Sequence, residues 1–271
     1  MNDRSVPAGR GRHRRQGRLR KLLPLLATIA VLVAFWELFI YVTGEPEYIL
    51  PPLHQILWTA IVRAPDRFLP AAWVTLQEML LGFAWGVAVG LALGTLIFQS
   101  RILRQALLPM VIGTQSIPVI AIAPILILWF GFDMLPKIIV TALIVFFPVC
   151  VNTIAGFAAV ERDMINLMRS LGADGWQIFT RVRFPAALPF IFAGIKNAAA
   201  ISAIGAIVGE WVGANAGLGP VMIAANAGFK TATVFAAILY LGIMAVGLFL
   251  LVGLAERRAM PWHFLTRERR D

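Results

Sequence analysis

The chain has 271 residues, of which 59% are hydrophobic and 14% charged, and its formal net charge is +10. Soluble domains carry charge on about a quarter of their residues, so this composition excludes an ordinary soluble domain. The apolar residues fall into long runs, which in a bilayer must be helical because every backbone N–H and C=O needs an internal partner. The pattern lacks the alternating segments of a transmembrane barrel. We therefore predict an all-α integral membrane protein.

Six apolar runs are long enough to cross a hydrocarbon core of about 30 Å as helices. A shorter and more mixed stretch, 53–63, is predicted to be an interfacial helix or loop. The predicted transmembrane helices are 22–43, 75–98, 107–130, 136–156, 186–213 and 231–255. They leave a basic tail at 1–21, a long loop at 159–185 and a C-terminal tail at 256–271.

The positions of Lys and Arg predict the orientation, because cytoplasmic loops hold an excess of both. Nineteen of the 24 lie in the two tails and in the loops 99–105 and 159–185. The loops on the other side hold only Arg63, Arg67, Lys137 and Lys230. Both termini are therefore predicted to be cytoplasmic, which agrees with an even number of spans.

The basic N-terminal tail could also suggest a nucleic-acid-binding arm. Retention of positive charge in the cytoplasm and attraction to anionic lipid explain it more simply, so we expect membrane lipid and not nucleic acid as a partner. The first apolar run is too long for a cleaved signal peptide. Cys150 is the only cysteine and the three histidines are far apart, so neither a metal site nor a cofactor is predicted on this chain.

Small residues predict where helices pack closely, since lipid gives little hydrophobic drive for helix association. The second span has four glycines at four-residue spacing, and the fifth span has three. The two stripes are Gly82, Gly86, Gly90 and Gly94, and Gly205, Gly209 and Gly213. Packing is the favoured interpretation, and a solute path along them is the alternative.

Prolines interrupt the third span at Pro109, Pro118 and Pro124 and the fourth at Pro148. Each removes a backbone hydrogen bond, and free carbonyls are tolerated only away from lipid. We predict pathway segments at 114–124 and 146–153, with simple kinks as the alternative.

Ionisable groups inside spans must face protein or water, lie near an end, or be neutral. Glu37 and Glu78 could reach the interface, Lys196 could pair with a carboxylate, snorkel or contact solute, and Glu210 could serve as a gate or a structural anchor. The predicted pathway and gate residues are Gln115, Ser116, Asn152, Lys196, Asn197, Ser202 and Glu210.

From residue 161 onward, the sequence of the loop 159–185 predicts a helix, a break and a second helix. We call this segment the elbow. Gly172 suits the position just past a helix end, and Asp174 followed by Gln177 is a capping-box pattern. Pro185 is predicted to stop the second helix before the fifth span. The first helix carries an apolar ridge that fits a groove on another protein, namely Met164, Leu167, Met168 and Leu171.

The sequence NLMRSLG at 166–172, then nine residues, then VRFP at 182–185, resembles the EAA signature of bacterial ABC-importer permeases, E-A-A-x-x-x-G-x9-I-x-L-P. Glycine and proline have the family spacing, while Asn166, Leu167 and Met168 depart from Glu-Ala-Ala. The motifs YILPP, GADGWQIF, GEWVGA and ERR…PW resemble the nitrate, sulfonate and taurine branch. LWFG and FFPVCVNT look most like permeases for thiamine-pyrimidine precursors or riboflavin.

The resemblance implies a type I ABC-importer permease fold in a bacterial inner membrane. It also implies a second permease copy, a cytoplasmic ATPase dimer that carries ATP and Mg, and an extracytoplasmic solute-binding protein, with a small polar solute as cargo. Whether the dimer is homomeric or heteromeric stays open, and homodimer is preferred. The chain has no Walker-type motif of its own. The implied ATPase-coupling residues are Met168, Leu171, Gly172, Ala173, Trp176, Phe184 and Pro185.

Two other classes are weighed against this one. A secondary transporter usually shows repeated halves and midplane carboxylates, and no internal repeat is found. A membrane enzyme needs clustered Asp and His motifs, whereas Asp133, Asp163 and Asp174 are dispersed. An importer subunit without catalytic residues is therefore the expected function.

Overall fold

The computed structural model describes residues 10–262, apart from the side chains of residues 10–22 and 25, and this part of the chain is helical without strands. The outer parts of both basic tails, 1–9 and 263–271, lie outside the described residues. The helices are α1 Arg10–Thr43, α2 Leu53–Val62, α3 Leu69–Gln99, α4 Arg101–Thr114, α5 Val119–Phe130, α6 Met134–Ala158, α7 Arg162–Ser170, α8 Gly175–Ile178, α9 Phe184–Gly213, α10 Leu218–Ala227 and α11 Thr231–Ala259. Single π-helical turns, Ala64–Phe68 and Phe179–Arg183, lead into α3 and α9.

Among the described residues, five helices are long and apolar enough to cross a membrane, or up to six if one bent pair counts as a single span. The five are α1, α3, α6, α9 and α11, and the pair is α4 with α5. The all-helical membrane fold is thus confirmed. The third span differs from a single continuous helix at 107–130, because α4 and α5 meet at 97°. Pro118 has an extended backbone and directly precedes α5. Proline has no backbone N–H and disfavours the helical conformation in the residue before it, so a continuous helix is disfavoured at this point.

Helix α6 lies between α3 and α9, and glycines allow both contacts. A Cβ added at Gly90 of α3 would lie 2.7 Å from the carbonyl oxygen of Phe146 in α6. A Cβ added at Gly205 of α9 would lie 2.7 Å from the Cα of Thr141, on the same α6. Atoms of neighbouring segments occupy the space beside the glycines of both stripes and leave no room there for solute. The packing interpretation of both stripes is therefore confirmed.

Helix α11 packs against α9, and the short helix α2 lies against α11. The ring of Tyr240 stacks on Phe68 with centroids 5.2 Å apart, and its hydroxyl donates to the carbonyl of Ala60 in α2. Glu37 of α1 accepts a hydrogen bond of 2.9 Å from the backbone N–H of Leu53, the first residue of α2. Residues 53–62 are therefore a helix, capped by a carboxylate from the first span.

Replacement of Gly90 by Ala should destabilise the bundle, while the same change at Gly253 should not. Overpacking against a backbone oxygen costs about 1–3 kcal/mol. No atom lies within 4 Å of a Cβ added at Gly253, a helical position where Ala gains about 0.5–1 kcal/mol over Gly. Thermal unfolding of the purified variants in detergent measures both effects, and equal melting temperatures for the two would contradict the packing assignment.

Candidate functional site

The first helix of the elbow, α7, ends in a Schellman turn at Gly172. The backbone N–H of Gly172 donates to the carbonyl of Arg169 at 2.9 Å, and that of Ala173 donates to Met168 at 3.0 Å. Gly172 has φ of +79°, a left-handed conformation that glycine adopts without a Cβ penalty. The predicted helix end is confirmed, and the turn sets the angle between the two helices of the elbow.

The second helix of the elbow, α8, opens with the predicted capping box. The carboxylate of Asp174 accepts a hydrogen bond of 2.7 Å from the backbone N–H of Gln177. The Gln177 side-chain oxygen accepts one of 3.2 Å from the backbone N–H of Asp174. The turn between α7 and α8 is thus satisfied by local hydrogen bonds on both sides.

The prediction that Pro185 stops this second helix is wrong. Helix α8 runs through the π turn Phe179–Arg183 into α9, and Gly175–Gly213 forms one apolar helical segment of 39 residues. The N–H of Phe184 reaches back five residues to the carbonyl of Phe179, which widens the helix just before the proline. Pro185 is the second residue of α9 and follows the π turn directly, so its missing N–H falls where the α-helical hydrogen-bond pattern is already interrupted.

The apolar ridge of the elbow is exposed. Leu171 and Trp176 are 74% and 72% accessible, while Ile165 and Ile178 point inward and are buried. Met164, Leu167 and Phe184 are also exposed, whereas Met168, Ala173 and Pro185 are half-buried. The elbow therefore presents large apolar side chains on a locally rigid turn, with two isoleucines that anchor it to the bundle.

An aromatic cluster, which the sequence analysis missed, connects the elbow to the bundle. The ring of Phe157 lies 5.3 Å from Phe98 of α3 and 5.3 Å from Phe179 of the π turn. The guanidinium groups of Arg104 and Arg183 lie 5.3 and 5.0 Å from the centre of the Phe98 ring. Phenylalanines at the ends of apolar runs, next to arginine, were the available signal for such a cation–π cluster.

A cavity of about 510 Å³ lies between the elbow and the end of α3. Arg169 and Arg183 supply its cationic side chains. The remaining lining residues are Phe98, Gln99, Ile165, Ala173, Gly175, Trp176, Ile178 and Phe179. The implied coupling residues Ala173 and Trp176 thus line this cavity, while Leu171 lies on the outer surface.

The broken third span places Gln115 and Ser116 at its bend, where both side chains are exposed. The backbone N–H of Gln115 donates to the carbonyl of Ile112, and that of Ser116 donates to the carbonyl of Gly113. These two donors at the break are therefore satisfied within α4. A helix break with exposed polar side chains does not face lipid in a membrane-spanning segment. This face therefore borders protein or water.

The other predicted pathway residues do not converge on one site. The amide of Asn152 donates to its own helix at Pro148 over 2.7 Å, and the buried hydroxyl of Ser202 donates to Ala199 over 2.8 Å. Asn197 is exposed. Lys196 forms an ion pair of 2.7 Å with Glu256, a residue of α11 that the sequence analysis assigned to the C-terminal tail. Of the three roles considered for Lys196, pairing with a carboxylate is the one observed.

Three ionisable residues form a buried charge cluster at the end of the bundle opposite the elbow. Lys137 of α6 lies 3.2 Å from Glu78 of α3, and both side chains are almost fully buried with Glu210 of α9. The expectation that Glu78 reaches the interface is wrong. Lys137, counted above as a loop residue, belongs to the first turn of α6 and is 6% exposed.

Glu210 caps α10, a short helix between the fifth and the sixth predicted span. Its carboxylate accepts hydrogen bonds from the Thr75 hydroxyl, at 2.5 Å, and from the backbone N–H of Gly219. The Thr75 hydroxyl in turn accepts the N–H of Leu218 at 2.9 Å. Gly217 has φ of +117° and lies directly against the carboxylate, so a side chain there would displace it. The cluster therefore fixes α10 to α3 and α9.

These features together define a polytopic helical membrane protein with an exposed apolar elbow at one end and a capped short helix at the other. Residues 86–260 match the family described as the binding-protein-dependent transport system inner membrane component. This match covers more than half of the chain, so the chain belongs to that family and is an ABC transporter permease.

Curated relatives cover most of the chain. The riboflavin transport system permease protein RibX of Chloroflexus aurantiacus is 35% identical over 89% of this chain and 90% of the relative. The formylaminopyrimidine transport permease protein ThiX of Halalkalibacterium halodurans is 35% identical over 86% and 92%. The putative aliphatic sulfonates transport permease protein SsuC of Bacillus subtilis is 30% identical over 86% and 85%. All three are named as transport permeases.

A solved structure shares the fold. A chain of the MetNI methionine ABC transporter in an inward-facing conformation matches with a TM-score of 0.59 and 20% sequence identity. The match covers 71% of this chain and 94% of that chain. The likeness concerns the fold.

Replacement of Thr75 by Val should loosen α10, whereas replacement of Thr141 by Val should have a smaller effect. Both hydroxyls are buried, but that of Thr141 bonds only to its own helix at Lys137. Val at residue 75 leaves the N–H of Leu218 without a partner, which costs about 1–3 kcal/mol. Thermal unfolding in detergent tests the difference, and the prediction fails if the two variants lose equal stability.

Proposed function

We propose that this chain is the membrane-spanning subunit of an ATP-driven importer in a bacterial inner membrane, with both termini in the cytoplasm. Two copies form the passage, a pair of cytoplasmic ATPase subunits binds ATP and Mg and drives it, and an extracytoplasmic binding protein delivers the solute. The observation that carries the proposal is the exposed apolar elbow within a chain of this transport family. The chain itself has no catalytic role.

The elbow suits a coupling element because it is rigid and its apolar residues are uncovered. Leu171, Gly172 and Ala173 form its turn, flanked by Met168 and Trp176. The turn is held by local hydrogen bonds that satisfy the last carbonyls of α7, which favours a fixed angle between the two helices of the elbow. The π turn and Phe184–Pro185 continue directly into α9, which gives a partner ATPase a mechanical path into the bundle.

The broken third span supports a second copy of the chain across a shared passage. Gln115 and Ser116 expose polar groups at a bend that lipid cannot cover. A symmetric partner places two such bends around one axis, where they can border water and solute. Asn152, Lys196, Asn197, Ser202 and Glu210 stay proposed pathway or gate residues, with Lys196 and Glu210 acting through the partners described above.

A small nitrogen heterocycle of the pyrimidine or flavin type is the proposed solute class. Two relatives with such names are 35% identical to the chain, against 30% for the sulfonate relative and 28% for the taurine transport permease TauC of Escherichia coli. A sulfonate or taurine-like solute is the second candidate. The separate binding protein, and not this chain, is expected to set solute affinity.

Substitution of Gly172 by Val should reduce coupling to the ATPase without loss of membrane insertion. No atom lies within 4 Å of a Cβ at this position, so the cost is backbone strain of about 1–2 kcal/mol at positive φ and not a clash. Asn tolerates this conformation and should retain more activity than Val. The measurement is solute-stimulated ATP hydrolysis by the reconstituted complex.

Gly175 supplies the matched control for Gly172. It lies three residues further along the elbow, its added Cβ also meets open space, and its φ is not positive. Gly175→Ala should therefore couple normally. Full coupling by Gly172→Val, or an equal defect at both glycines, would show that the turn geometry is not needed for coupling.

The purified chain should hydrolyse no ATP until the partner ATPase is added. The expected rate without the partner equals that of a blank, because the nucleotide sites lie on the other subunit. An inactive ATPase variant added in place of the active one is the control. Substantial turnover by the chain with no partner present would refute this division of roles.

A further inference from the structure

The buried charge cluster contains more acid than base. Glu78 and Glu210 are 0% and 1% exposed, and Lys137 is 6% exposed. With all three ionised, the cluster would hold one uncompensated negative charge away from water. A buried unpaired charge is strongly destabilising, and a group in that position changes its protonation state instead. The cluster therefore needs one additional positive charge.

Glu210 has the hydrogen bonds of an ionised carboxylate. One oxygen accepts from the Thr75 hydroxyl and the other from the backbone N–H of Gly219. The Gly219 N–H lies at the N-terminus of α10, where the helix dipole also favours negative charge. Charge-assisted hydrogen bonds of this kind stabilise the deprotonated form.

Glu78 has no such support. Neither of its oxygens accepts a hydrogen bond from a described residue, although the Lys137 ammonium lies 3.2 Å from one of them. Glu78 lies three residues after Thr75 on the buried face of α3, and Thr75 bonds to Glu210, so the two carboxyl groups share one buried site. Two carboxylates repel each other there, whereas a carboxylic acid on one of them can donate to the other.

Among the described residues, the contacts of the cluster bring no further charged group to it. Glu78 of α3 is paired with Lys137 of α6, and Glu210 of α9 is the other buried acid. The polar partners of Glu210 are Thr75 from α3 and the Gly219 N–H from α10. We infer that the cluster binds one proton, held on Glu78 as a carboxylic acid that donates to ionised Glu210, and that this proton keeps α10 docked.

Removal of the proton weakens the cap. Hydroxide or another base takes the proton from Glu78 and leaves a second carboxylate beside Glu210. The new repulsion acts on the same carboxylate that holds the N–H of Gly219, so the start of α10 is released as the pH rises. The Thr75 bridge to Leu218 is released with it, since that hydroxyl is bonded to Glu210.

Infrared spectroscopy of the full chain in detergent tests for the proton directly. A protonated carboxyl group has a carbonyl band distinct from that of a carboxylate, and the band shifts in deuterium oxide. In the wild type the band should persist at neutral pH and disappear on titration to alkaline pH. It should be missing from Glu78→Gln and retained in Glu37→Gln, whose carboxylate is partly exposed. A wild-type spectrum without this band at neutral pH overturns the inference.

Hydrogen exchange of the amides at 218–219 tests the link to α10. At each pH the wild type is compared with Glu78→Gln, which keeps a neutral donor beside Glu210. Both should be protected equally at neutral pH, and only the wild type should lose protection at alkaline pH. Equal behaviour at all pH values, or protection that follows added sodium and not pH, contradicts the inference.

Both measurements use the chain without ATPase or solute, so their outcome is independent of the proposed importer function. If Glu78→Gln does not fold, the wild-type infrared titration still decides whether a proton is present.

Discussion

The close approach of α6 to α3 and α9 is the contact on which the rest of the structure depends. Lipid supplies little drive for helix association, so dispersion across glycine-lined surfaces must hold these helices together. Backbone atoms come near enough that a single methyl group at Gly90 or Gly205 would overlap the neighbouring helix. The same proximity brings Lys137, Glu78 and Glu210 together and excludes water from them. Charge burial in this protein is therefore a result of tight backbone packing.

The two ends of the bundle are organised by different forces. At the elbow, local hydrogen bonds around Gly172 and Asp174 define the shape, and the aromatic ring of Phe157 ties it to the bundle. At the other end, long-range polar contacts hold α10, because Thr75 and Glu210 are 135 positions apart in sequence. The first end is built to be exposed and the second to be buried.

This contrast explains which parts were predictable from the sequence. The long apolar helices, the Gly172 turn and the Asp174 capping box depend on short-range patterns, and the structure contains them, although the third predicted span is two helices that meet at 97°. The burial of Glu78 and Lys137, the pairing of Lys196 with Glu256 and the helix α10 depend on contacts between distant segments, which one sequence does not specify. The prediction that Pro185 ends the helix failed for another reason, because the preceding π turn accommodates the proline ring and the helix continues.

The uninterrupted segment Gly175–Gly213 has a mechanical consequence. At 1.5 Å per residue its 39 residues span about 58 Å, with Trp176 near one end and Glu210 near the other. Glycines bring this segment against α6 at several levels, from the contact of Gly156 with Ala187, through Gly194 and Gly205, to Gly209 beside Lys137. Because α6 holds the segment along most of its length, a displacement of the elbow would be shared by α6 and α9 and would not turn about a single point.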